Sequence, residues 1–171
     1  MNQEKSSEEG FLVTPRNFSL VESGIYRSAQ PNSHNIPFLK TLKLKAIVNL
    51  TSNGISDDMK EFYESAGIKL LCFDLGRGNR KHNIHADEHA SSKALNALLD
   101  HGNHPVLIHC KKGKHRTGCV IGLLRKNRNW ALSNIFAEYC SFEPLDKNRE
   151  EDQRFIEAFG SDSAIEFMMD E

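Results

Sequence analysis

Pro105-Val-Leu-Ile-His109-Cys110-Lys111-Lys112-Gly113-Lys114-His115-Arg116-Thr117-Gly118 decides how the rest of the chain is read. Pro105 to Ile108 is a short apolar, partly β-branched run of the kind that forms a buried strand. After Arg116 the sequence Thr-Gly-Cys-Val-Ile-Gly-Leu-Leu-Arg is apolar enough for a core helix. Cys110 is thus expected at a strand end and Arg116 at a helix start, joined by a glycine-containing loop. Such a junction curls successive backbone N–H groups around one point and directs a helix N-terminus at it. The result is a concavity suited to anions, phosphate above all.

The residue types in the loop fit one chemistry. A cysteine among those donors, beside a helix dipole and several cations, is expected as a thiolate near neutral pH. A thiolate is a competent nucleophile toward phosphorus and leaves a covalent intermediate. Arg116, six positions on, carries a planar fork that can hold two equatorial phosphoryl oxygens through the transition state. Thr117 can offer its hydroxyl to the thiolate and ease its departure in a second step. Lys111, Lys112, Gly113, Lys114 and His115 complete the expected phosphate-binding loop, and His109 is expected to orient it.

Other readings of the same residues fit less well. A lone cysteine after an apolar strand is usually a small buried hydrophobe, but here five of the next six residues are basic, Arg116 among them. A Walker-type nucleotide loop requires Ser or Thr after its lysine, and Lys114 is followed by His115. Zinc at His104, His109, Cys110 and His115 fails on spacing and lacks a second cysteine pair. An RNA-binding face would need aromatic stacking residues near the loop, and none is there. No metal and no cofactor are expected.

With 171 residues, 39% hydrophobic and 26% charged, the chain is long enough for one domain with a real core. A net charge of −1 provides no general attraction to nucleic acid, so an anionic ligand must be drawn by a local patch such as the basic loop. Cys72, Cys110, Cys119 and Cys140 show neither metal-type pairing nor a disulfide framework, which points to reduced thiols. No apolar run reaches membrane-spanning length and the first residues do not read as a signal peptide. The cytosol is the expected compartment, with the nucleus left open. Nothing in the sequence sets an oligomeric state.

Taken in order, residues 1–14 read as a flexible tail, 15–160 as one domain and 161–171 as an acidic tail. Gly24 reads as a turn before a strand at Ile25-Tyr26-Arg27, with Tyr26 packing in the core and Arg27 in a structural ion pair. Helices are expected from Asn35 to Leu42, from Ser56 to about Ala66, and from an N-cap at Asp87 to Leu99. Three more follow Arg116, ending near Asn127, Cys140 and Phe159. Strands are expected at Ala46–Leu50 and Lys69–Phe73. The basic, irregular connection from Leu75 to Ala86 is a candidate wall of the phosphate pocket. Buried strands alternating with helices imply an α/β three-layer sandwich with a small, mostly parallel central sheet. The reactive loop lies at the carboxyl end of a strand, where such sheets place ligands.

The loop His109-Cys110-Lys-Lys-Gly-Lys-His-Arg116-Thr-Gly resembles that of the cysteine phosphatases. More narrowly it resembles the plant and fungal atypical dual-specificity phosphatases, whose yeast members are inositol pyrophosphate phosphatases. Asn17-Phe18-Ser19, Gly24 to Ser28 with Pro31, Asn103 to Cys110, Leu124-Arg125-Lys126, Trp130 and Asp152 to Phe155 fall in register with it, so the likeness spans about residues 15–160. It implies the dual-specificity phosphatase fold, a phosphocysteine at Cys110 and no metal. The implied substrate is an inositol pyrophosphate, attacked at the β-phosphate on ring position five, and the dense cations of the loop agree. Asn79 and Arg80 match a Gly-Asn-Lys segment of that family, with Arg for Lys, and are expected to add to the site. Asp74 stands near the place where typical tyrosine phosphatases carry a general acid, although the resembled family tends to have glycine there. A pyrophosphate leaving group is a weaker base than an alkoxide and needs less help from a proton. The alternative substrate, a phosphorylated protein side chain, would require an apolar, aromatic-lined slot in place of a cationic rim.

Overall fold

The computed structural model describes residues 11–52, 54–76, 84–142 and 149–160. Five strands form one sheet: β1 (Ser19–Glu22), β2 (Ile25–Ala29), β3 (Ala46–Asn49), β4 (Lys69–Cys72) and β5 (Val106–Cys110), in the order β1-β2-β5-β3-β4. The last four are mutually parallel, and β1 runs antiparallel to β2 at the edge. The helices are α1 (Ile36–Thr41), α2 (Asp57–Ser65), α3 (Ile84–Leu99), α4 (His115–Asn127), α5 (Leu132–Phe142) and α6 (Arg149–Ala158). This is the expected three-layer sandwich around a mostly parallel sheet.

Two cores flank the sheet. One packs Ile25, Val48, Ile108 and Cys110 with Val120, Leu124 and Ile156 on the side of α3 to α6. The other packs Ile47 and Leu107 with Leu39, Met59, Phe62 and Tyr63 of α1 and α2. Side chains alternate along a strand, so Val106, Ile108 and Cys110 share the α4 face while Leu107 points the other way. All five residues of β5 are buried, as befits a central parallel strand covered on both faces.

Two boundaries differ from the sequence reading. β5 runs two residues past Ile108, because Ser28 and Ala29 of β2 pair with His109 and Cys110, and Asn49 of β3 pairs with His109. α3 begins at Ile84, so Asp87 lies within its first turn and is not the N-cap. Gly118 and Gly122 both fall inside α4, where they permit close packing. A Cβ at Gly118 would sit 2.8 Å from the Tyr139 ring, and one at Gly122 would sit 2.6 Å from Ile156.

Candidate active site

β5 delivers Cys110 to the carboxyl end of the sheet, and α4 begins five residues later at His115. The intervening loop turns at Gly113, where φ is +68°. A Cβ there would lie 2.4 Å from the Ser28 carbonyl carbon, so only glycine fits.

Three successive carbonyls of the loop are engaged from outside. Gln30 N–H donates to Lys111 O (3.4 Å), Asn17 Nδ2 to Lys112 O (2.8 Å) and Arg27 Nη2 to Gly113 O (3.0 Å). In a trans peptide the next residue's N–H points opposite to the carbonyl. Outward carbonyls therefore turn the N–H edge inward, and the Lys114 and Thr117 N–H groups are directed at the Cys110 sulfur.

The thiol is 3% exposed. Burial pushes its pKa up, but the Thr117 hydroxyl and N–H, the Arg116 charge and the Lys114 N–H outweigh burial and hold it below its ordinary value. Thr117 Oγ1 is buried and meets no conventional hydrogen-bond geometry, yet it stands close enough to the sulfur to favour the thiolate. Arg116 Nη1 donates to Leu50 O (3.1 Å), and Leu50 N–H in turn donates to His109 O (2.9 Å). The fork is thus anchored to the same β3–β5 seam that ends in Cys110. His109 is buried, and burial lowers its imidazole to about 4 against a smaller opposing effect of the Cys110 backbone. It is neutral at physiological pH, in keeping with an orienting part.

The structure brings Cys110, Gly113, Lys114, Arg116 and Thr117 around one point. Lys111 and Lys112 are exposed. His115 is engaged with the protein: its Nδ1 lies 3.0 Å from Asp152 Oδ2 and 3.1 Å from the Tyr139 hydroxyl. Tyr139 O–H also donates to that carboxylate oxygen. Asp74 stands apart. It is exposed just after β4, its Oδ1 accepts the Gly76 N–H at 2.9 Å, and β3 lies between its strand and β5. Asp74 also helps line a cavity of about 650 Å³ with Asn49, Thr51, Tyr63 and Cys72. Asn79, Arg80 and most of the expected pocket wall lie outside the described residues.

Arg27 corrects the sequence reading. Among the described residues no carboxylate pairs with it. Its guanidinium lies 3.5 Å from the Phe142 ring centroid and holds Gly113 O from beneath the loop. Burial lowers its pKa to about 10, with Glu138 and Cys110 pulling the other way, so it remains charged at neutral pH. Asn17, Tyr139 and Asp152 also lacked a role in the sequence reading. Asp152 had a usable signal, since it shares the inward stripe of α6 with Phe155, Ile156 and Phe159.

The sequence profile described as the tyrosine phosphatase family matches residues 12–169. The chain belongs to that family. It is 44% identical over 151 residues to rice inositol diphosphatase DSP1, covering 88% of this chain and 67% of that protein. To the inositol diphosphatase SIW14 of Saccharomyces cerevisiae it is 42% identical over 152 residues, covering 88% of this chain and 53% of the yeast protein. The crystal structure of the core catalytic domain of the S. cerevisiae PP-IP phosphatase SIW14 superposes with a TM-score of 0.80 at 40% identity, covering 92% and 93% of the two chains. This family member is a phosphatase of the Cys-x5-Arg type, carrying the motif at Cys110 and Arg116.

Proposed function

We propose that the protein hydrolyses inositol pyrophosphates, removing the β-phosphate at ring position five of a diphosphoinositol polyphosphate. The observation that carries this is the set of loop N–H groups aimed at a thiol of lowered pKa, in a loop whose sequence also carries Lys111, Lys112 and Lys114. Such a site suits a reacting phosphoryl group that arrives among other phosphates. The names of the similar rice and yeast proteins support the same substrate class.

Cys110 Sγ attacks the β-phosphorus in line with the bridging oxygen. The S–P bond forms as the P–O bond breaks, and its electron pair leaves on the α-phosphate. Arg116 and the loop N–H groups hold the equatorial oxygens through both transition states. Water then attacks the phosphocysteine, releasing inorganic phosphate, while Thr117 supports the departing thiolate. An α-phosphate is a weakly basic leaving group, so the first step needs no dedicated acid.

The test compares phosphate release by wild type and Cys110→Ser from 5-diphosphoinositol pentakisphosphate and from a phosphotyrosine peptide. The wild type is expected to prefer the diphosphoinositol substrate, and Cys110→Ser to lose turnover while still binding phosphate. Preference for the peptide would overturn the substrate, and turnover by Cys110→Ser would overturn the covalent mechanism.

A further inference from the structure

We propose that Asp152, with Tyr139, is a positioning residue for His115, fixing its ring so that Nε2 meets phosphoryl oxygens flanking the scissile group. The inference rests on the polyphosphate reading above.

Asp152 is 1% exposed and shares its side of α6 with Phe155, Ile156 and Phe159. A carboxylate in such surroundings is costly unless it is hydrogen-bonded. Its Oδ2 accepts from the Tyr139 hydroxyl and stands 3.0 Å from His115 Nδ1. An ionised carboxylate only accepts, so Nδ1 carries the hydrogen and the tautomer is set. Nε2 lies on the opposite edge of the ring.

His115 is the first residue of α4, directly before Arg116, and its side chain keeps 23% of its surface exposed. Arg116 and the loop N–H groups serve the reacting phosphoryl group. Neighbouring phosphates on a crowded ring need donors of their own, and a ring held rigidly through Nδ1 supplies one at little entropic cost when Nε2 carries a proton.

A purely structural role is not required of Asp152, because α6 is fastened to α4 elsewhere. Lys126 Nζ donates to the carbonyls of Ile156, Glu157 and Phe159 at 3.1, 2.6 and 2.8 Å. Ile156 also seats against Gly122. Neutralising Asp152 leaves both attachments in place.

The experiment measures kcat and KM for wild type, Asp152→Asn, His115→Gln, the double variant and Tyr139→Phe. The substrates are 5-diphosphoinositol pentakisphosphate and para-nitrophenyl phosphate. Loss of one charge-assisted hydrogen bond in Asp152→Asn is expected to raise KM for the diphosphoinositol substrate about tenfold, with kcat and the aryl phosphate KM little changed. The double variant should be no worse than His115→Gln, because the two residues act as one unit. Tyr139→Phe should shift KM in the same direction by less, and it keeps the test intact if Asp152→Asn folds poorly. Nitrogen NMR of the His115 ring should show hydrogen on Nδ1 in wild type and a mixture of tautomers in Asp152→Asn. Unchanged KM for the diphosphoinositol substrate, or additive losses in the double variant, would overturn the positioning role. A wild type that hydrolyses the aryl phosphate but ignores the diphosphoinositol substrate would instead sink the substrate reading, and the proposal with it.

Discussion

The carboxyl ends of β5 and β4 contain the two groups that could serve this chemistry, and the protein treats them in opposite ways. At β5, Cys110 is buried, and its loop is tied by Asn17, Gln30 and Arg27 so that N–H groups face the sulfur. At β4, Asp74 is exposed and its carboxylate is occupied by the local Gly76 N–H. One end is preorganised for an anion, and at the other the carboxylate accepts from its own turn. The proposed reaction at a phosphoanhydride accordingly draws on nucleophile and charge stabilisation more than on protonating a leaving group.

The largest effect expected, after loss of the nucleophile itself, is at Arg116. Arg116→Lys keeps the charge but removes the fork, and kcat should fall about 10²- to 10³-fold. An unimpaired variant would show that N–H groups alone hold the transition state. Arg27→Met is next. It frees Gly113 O and removes a charge that favours the thiolate, so kcat/KM should fall by about tenfold or more. Stability should change less, because the lost contacts are offset by no longer burying a guanidinium. A variant with normal kinetics but a large drop in Tm would reduce Arg27 to a packing residue.

Thr117→Val tests the sulfur directly. The Cys110 pKa is lowered in the folded protein, so kcat/KM rises with pH as the thiol ionises, and that limb lies on the acid side of an ordinary cysteine. Removing the hydroxyl should move the limb toward alkaline pH, whereas Thr117→Ser should leave it in place. A limb that does not move would assign the shift to Arg116 and the backbone.

What the sequence shows well is what lies close together in it. The strand, the glycine turn and the helix start occupy one short stretch, and their chemistry follows from residue type and order. The true end of β5 was harder to see. His109 and Cys110 lie beyond the apolar run of Pro105 to Ile108, yet β2 pairs with both and β3 pairs with His109, which keeps them in the sheet. Asp87 misled for the converse reason: it has the chemistry of a cap, but the backbone is already helical at Ile84. Arg27, Tyr139 and Asp152 lie far from the loop in sequence. Periodicity can mark Asp152 as facing inward, but only the packing of α6 on α4 shows that it meets His115.

Asp74→Asn carries the smallest expected effect and the sharpest use of the contrast. A general acid contributes about 10²- to 10⁴-fold. If Asp74 does not serve the pyrophosphate reaction, the variant should stay within about twofold of wild type on 5-diphosphoinositol pentakisphosphate. A tyrosine phenolate is a much stronger base, with a conjugate-acid pKa of about 10, so its departure depends far more on a proton. The same variant on a phosphotyrosine peptide therefore separates two cases. Equal indifference to Asp74 on both substrates would mean that this end of the sheet never supplies an acid, and that slow peptide turnover reflects its absence. A selective loss on the peptide would mean that Asp74 leaves its Gly76 turn when the leaving group demands it. A comparable loss on both would place Asp74 at the scissile bond and undo the contrast between the two strand ends.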